Sequence, residues 1–261
     1  MKYLHIFLIA MFLLVMSSCK KDYFSISGTI ANGAGKTAYI EELTPDGPLF
    51  LDSISIDENG EFSFSYQMPY PTFYNLHITT SNYVMLLPEV EEKIILTGDF
   101  NNLQGTYDVR GSHGSMLLWQ LQAYSNMGDE KLAEIIALDQ ENQQRYGLDT
   151  KDYREAKKNT DSIYFEAYSE QSNFVKSFIE QNKGSLATLI ALYKPFGPNH
   201  SLIDIKRDPS MLSFYDMVLD GLKESLPDNP HTIHFGNSVA HLHHQYEQYQ
   251  QSQQAQITVG Q

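Results

Sequence analysis

Five histidines crowd the last part of this chain: His231, His234, His241, His243 and His244. On a helix His241 and His244 stand one turn apart and His234 lies two turns before His241, so these three share a broad face. Imidazoles on one face can grip a divalent metal, provided that further ligands and a buried surround complete the site. His234, His241 and His244 are therefore the candidate ligands of a metal-binding module. Their face sits off the stripe of Phe235 and Leu242, which favours a solvated helix surface, and no metal is assigned. Carboxylates gather at Glu89, Glu91 and Glu92 and at Asp57 and Glu58. Paired carboxylates can work as acid and base across one cleft, but in turn-like sequence they more often serve the turn. Gly33, Ala34, Gly35, Lys36 and Thr37 have the composition of a phosphate-binding loop. Ile30 stands where that loop needs a glycine, and strand rather than helix follows, so the stretch reads as a hairpin turn. No serine-hydrolase elbow or metalloprotease His-Glu helix occurs. No catalytic residue, cofactor or cofactor-binding residue is assigned.

The elements that must position these groups fall into two kinds. From Phe24, Ile26, Gly28 and Ile30 onward, apolar and polar residues alternate with period two, the pattern of half-buried strands. Further strands are expected at Thr37 to Leu43, Leu49 to Ile56, Phe62 to Met68, Thr72 to Ile78, Asn82 to Leu87 and Lys93 to Thr97. Asp57 to Gly60 reads as a tight hairpin, with Asn59 and Gly60 suited to positive φ. Seven short strands at this spacing predict an antiparallel β-sandwich or barrel. After Gly111 the period becomes helical, first through Met116, Leu117, Leu121 and Tyr124, then in a long charged helix from about Tyr153 to Ile179. Gly184 is expected to end that helix and Ser185 to cap the next. Two more helices follow, near Pro209 to Leu226 and from Pro230, and Gln248 to Gln256 reads as a polar linker. The fold class is α+β. The 17 tyrosines and 14 phenylalanines can line a peptide or glycan groove, although at alternating strand positions they more often fill a core.

Before the first strand, Lys2 precedes an unbroken apolar run from Ile6 to Met16, then Ser17, Ser18 and Cys19. The run is far short of the ~20 residues that span a bilayer, and has the layout of a secretory signal. Small residues directly before a cysteine resemble the bacterial lipobox. That resemblance implies cleavage after Ser18, lipidation of Cys19, and attachment to a membrane of the cell envelope through acyl chains that each add about 0.8 kcal/mol per buried methylene. A formal net charge of −14 repels phosphate backbones, and export removes the chain from nucleic acid. Cys19 is the single cysteine, so its lipidation leaves no thiol for a disulfide or a redox pair.

The order of features resembles a known family. The lipobox, the strand Ser27-Gly28-Thr29-Ile30, the strand Ala38-Tyr39-Ile40, the run from Asp52 to Phe64 with Gly60 and Phe62, and the helical segment with Phe178, Ile179, Ser185 and Ala191 look like the amino-terminal part of Bacteroidota thiol-disulfide oxidoreductases of the TlpA and ResA type. In those lipoproteins a β-rich domain of unknown function and a helical region precede a thioredoxin-like domain. The approach through Leu226 and Pro227 to Ile257-Thr258-Val259-Gly260-Gln261 is similar as well. The resemblance implies a signal peptide over 1–18, a lipidated tether over 19–23, a β-rich domain over 24–111, a helical region over 112–250, and a linker over 251–261 toward a thioredoxin-like domain. It implies an accessory region that positions the redox domain or binds its partner. Disulfide exchange itself needs two thiols that this sequence lacks. The alternatives are a self-sufficient lipoprotein that binds a peptide, a glycan or an envelope protein, and the metal-binding module.

Overall fold

A computed structural model describes residues 22–198 and 200–259. The chain is α+β. The amino-terminal part holds eight strands: β1 (Tyr23–Ala31), β2 (Thr37–Thr44), β3 (Gly47–Ser55), β4 (Glu61–Gln67), β5 (Phe73–Thr79), β6 (Asn82–Leu86), β7 (Lys93–Asp99) and β8 (Asp108–Arg110). They form two four-stranded sheets, ordered β4-β1-β7-β8 and β3-β2-β5-β6. The sheets are not hydrogen-bonded into one another, so the expected sandwich-or-barrel resolves to a sandwich. Its filling is what period two demands: Phe24, Ile26 and Ile30 from β1 and Ile94 and Leu96 from β7 meet Ala38, Ile40, Tyr74, Leu76, Val84 and Leu86 in one buried cluster.

Three features depart from the pattern read in the sequence. β1 and β2 lie in different sheets, as do β3 and β4, so the turns at Gly33–Lys36 and Asp57–Gly60 are corners between layers rather than hairpins. At the second corner the Asp57 amide donates to the Glu61 carbonyl and Gly60 takes φ +80°, while Asn59 needs no positive φ. In addition β1 pairs with β7 in parallel, with Ile26 beside Ile94. Gly28 is required there, because a Cβ would lie 1.7 Å from the Leu96 carbonyl oxygen.

The helices are α1 (Leu103–Thr106), α2 (His113–Tyr146), α3 (Lys151–Asn182), α4 (Ala187–Leu192), α5 (Leu212–Ser225), which extends a 3-10 turn at Pro209–Met211, and α6 (Pro230–Val259). Capping explains their limits. Ser112 accepts the Ser115 amide to start α2, Gly147 at φ +78° ends it, and Thr150 accepts the Tyr153 amide to start α3. Ser185 does meet the Ala187 amide at 3.3 Å, but α3 already stops at Asn182. The glutamine-rich stretch read as a linker is helical in backbone through Val259, which fits glutamine's good helix propensity. Helical and sheet regions meet on the outer face of the second sheet. Phe73 and Leu87 join the buried cluster formed by Leu117, Leu121, Phe178, Ile179, Leu222 and Phe235, and Leu43 and Met85 pack against it.

Candidate functional site

The junction of the two regions is assembled from helix ends. α2 starts there and α3 and α5 finish there. A buried knot of hydrogen bonds ties α2 to the exit of β6: the Leu87 amide donates to Ser115 Oγ at 3.0 Å and the Ser112 hydroxyl donates to the Leu87 carbonyl at 3.2 Å. Gly114 allows this approach, since a Cβ would meet the Leu87 oxygen at 2.4 Å. α6 starts beside the same connections. Asn229 Nδ2 donates to the Pro71 carbonyl at 2.7 Å while its Oδ1 accepts the His231 amide, and His231 Nε2 lies 2.9 Å from Thr72 Oγ1.

Between these helix ends and the sandwich lies a cleft of about 500 Å³, lined among others by Leu87, Glu89, His113, Asn182, Lys183 and Ser225. Its serines are already committed. The Ser225 hydroxyl is 2.6 Å from the Gly184 carbonyl, and Ser185 Oγ accepts the Ala187 amide at 3.3 Å, one residue before the Leu186 N-cap of α4. Neither hydroxyl is bonded to a histidine or a carboxylate among the described residues, the pairing that activates a serine nucleophile.

A second, smaller recess of about 100 Å³ lies between β6 and the helices, where Tyr83, Met85, Tyr107, Leu118 and Gln122 surround Lys194. The ammonium donates to Gln122 Oε1 at 3.5 Å, and burial pushes its pKa down against the opposing pull of Asp129. Burial also pushes the Tyr107 phenol well up. On the same outer face, Asn75 Oδ1 and both ring nitrogens of His77 are sealed from solvent without a hydrogen-bond partner, and Glu41 Oε1 is 3.6 Å from His77 Nε2.

The residues singled out in the sequence take ordinary structural roles. His234, His241 and His244 are exposed; His241 faces Gln245 and His244 faces Gln248, each at 2.9 Å and one turn along α6. Among the described residues no three metal-ligating side chains stand together, so the histidine face is a solvated surface. His243 pairs with Asp216 of α5 at 2.7 Å. His231 is the exception. Burial, then the neighbouring His234, lowers its pKa, and its ring sits edge-on to Phe73. Glu92 braces the β6–β7 connection, accepting the Glu89 amide at 2.7 Å and the His113 amide at 3.0 Å. Asp57 Oδ1 accepts the Asn59 and Glu61 amides, as turn residues do. The glycine loop has spent its amides: Gly35 donates to the Ile56 carbonyl and Lys36 to the Gly33 carbonyl. Cys19 and the proposed leader lie outside the described residues. Lys194 escaped sequence reasoning, and its signal was only a lone charge inside the apolar run from Ala191 to Phe196.

Residues 24–116 match the family model described as a domain of unknown function, DUF4369. No curated protein matches the chain. The DUF4369 segment takes in all but the first residue of the sandwich and ends in the first turn of α2, past Ser112 and Ser115. The structural unit of the DUF4369 segment therefore includes the knot on which the helical region is built. No helix among the described residues is long and apolar enough to cross a membrane.

Proposed function

We propose that this chain is the lipid-anchored accessory region of a cell-envelope thiol-disulfide oxidoreductase, fixed to a bacterial membrane, the outer membrane foremost, through Cys19. It positions the redox domain or binds its partner, and performs no disulfide exchange itself. The observation that carries the reading is the path of α6. This helix begins clamped to Pro71 and Thr72 of the sandwich, packs on the core through Phe235, Val239, Leu242 and Tyr246, and runs on as helix to Val259. Thirty residues at 1.5 Å each make a strut of about 45 Å, and its end is the segment that resembles the approach to a thioredoxin-like domain. The DUF4369 match over 24–116 agrees with the β-rich domain of unknown function expected at that place.

Reading the coding sequence beyond Gln261 tests this. Ala-Pro-Asp followed by a Trp-Cys-x-x-Cys segment is the expected result. A stop codon at that point, with no thioredoxin-like gene beside it, would overturn the proposal. The cleft of about 500 Å³ supports a second reading, a stand-alone lipoprotein that binds a peptide, glycan or envelope protein in that recess; this is the reading that such a stop codon would leave.

A further inference from the structure

We infer that the pole of the sandwich where β1 begins is the membrane-facing surface of the protein, apposed to the headgroups of a phospholipid bilayer. This rests on the lipid-anchor reading above and adds an orientation to it.

The start of the sandwich is pinned. The Met68 amide donates to the Asp22 carbonyl and the Glu91 amide to the Tyr23 carbonyl, each at 2.7 Å, and Tyr23 pairs with Gln67. Only Lys20 and Lys21 separate Asp22 from Cys19 in the sequence. Three residue steps reach at most about 10 Å. Acyl chains on Cys19 lie in hydrocarbon, so the pole that holds Asp22 is kept within roughly that distance of the headgroup layer.

The surface at that pole suits the position. Tyr23 is 45% exposed, and exposed Pro69 and half-buried Tyr70 lie in the connection that follows its partner strand. Tyrosine rings are at home at the level of lipid headgroups. Exposed Glu89 and Glu91 stand at this pole together with exposed Lys93 at the start of β7 and Lys183 at the cleft, and Lys20 and Lys21 precede Asp22, so the rim carries both signs of charge. A rim of mixed charge meets a zwitterionic headgroup layer without net repulsion. The orientation also assigns the cleft. Pro71, Leu87, Glu89 and His113 come from the connections at this pole, so the recess opens at headgroup level. The corner at Asp57–Gly60, at the other end of β4, faces away.

Because Cys19 is the single cysteine, a lipidated protein carrying Glu89→Cys or Asn59→Cys has one free thiol. Both positions are exposed, one at each pole. Each variant is labelled with a fluorophore and reconstituted into phosphatidylcholine vesicles that contain headgroup spin-labelled lipid. Quenching several-fold stronger at position 89 than at 59 is expected. Equal quenching at the two positions, on protein that floats with the vesicles, would overturn the orientation and leave the anchor standing. Failure of the lipidated chain to float, or flotation that survives Cys19→Ala, would instead overturn the anchor itself and the orientation with it.

Discussion

The sandwich core is closed apart from Leu49 and Phe50, which edge strand β3 exposes, whereas the α2–α3 hairpin buries most of its apolar residues near the junction. Ile26, Ile30, Ile40, Leu76 and Leu96 expose nothing, and they span both sheets. In α2 the buried apolar residues are Leu117, Leu118 and Leu121 in the first turns, with Ile135 alone further on; in α3, apart from Tyr153, they wait until Ala167, Val175, Phe178 and Ile179. The far ends of these helices are joined by polar pairs instead. Tyr153 donates to Asp139, Asn142 to Thr160, and Lys157 bridges to Asp139 at 3.8 Å. Part-buried hydrogen bonds of this kind contribute about 0.5–1.5 kcal/mol each, against about 2–5 kcal/mol for a well-buried leucine. Stability is thus concentrated in the sandwich and the junction, and it declines along the α2–α3 hairpin.

The largest test of that gradient is in the sheet. Gly28→Ala forces a methyl group onto the Leu96 carbonyl, and we expect a loss of about 4 kcal/mol or a failure to fold, read by urea denaturation; a loss below about 1 kcal/mol would break the claim that this ladder admits no side chain. Within the helices, Leu121→Ala should cost about 3 kcal/mol. Tyr153→Phe, at the far end, should cost about 1 kcal/mol through its lost bond to Asp139. Similar costs for the two would erase the gradient.

Lys194 sharpens the comparison from the opposite side, as a charge that the junction tolerates poorly. Lys194→Met removes the burial penalty and fills the recess beside Leu118, and should raise stability by about 1 kcal/mol, seen as a higher Tm. The smallest effect is expected from pH. His231 is held neutral in the fold by burial, below its usual value of 6.5. As pH falls through that value the unfolded chain takes up a proton that the folded one resists, so stability is present above it and is lost on acidification. His231→Gln should therefore lose less Tm than the natural chain between pH 7.5 and 5.5; an equal loss would remove His231 from the junction's pH response.

Strand positions were legible because a half-buried strand writes its burial directly into period two, as in Phe24, Ile26 and Ile30. Which strands pair was not legible. The residues of the Asp57–Gly60 turn specify a local reversal, and a reversal looks the same whether the next strand joins the sheet or crosses to the other layer. β8 is only three residues long and so carries no period. The candidate site was legible only in fragments. Glu89 and His113 could be named as ionisable, but their meeting with Asn182 and Ser225 depends on contacts between segments more than sixty residues apart. The histidine face was legible in its spacing on α6, which put His234, His241 and His244 on one side, but spacing alone does not bring three rings to one point, and His241 and His244 face glutamines instead.

Taken alone, the sequence determined the fold class, the change from strand to helix period after Gly111, the helix start at Pro230, and the acidic charge, since each depends on residue type and local period. The tertiary structure decided the parallel pairing of β1 with β7, the split of the turns between two sheets, the roles of Glu92, Lys194 and His231, and the cleft at the junction. Those outcomes are set by long-range packing and burial, which no local stretch of residues encodes by itself.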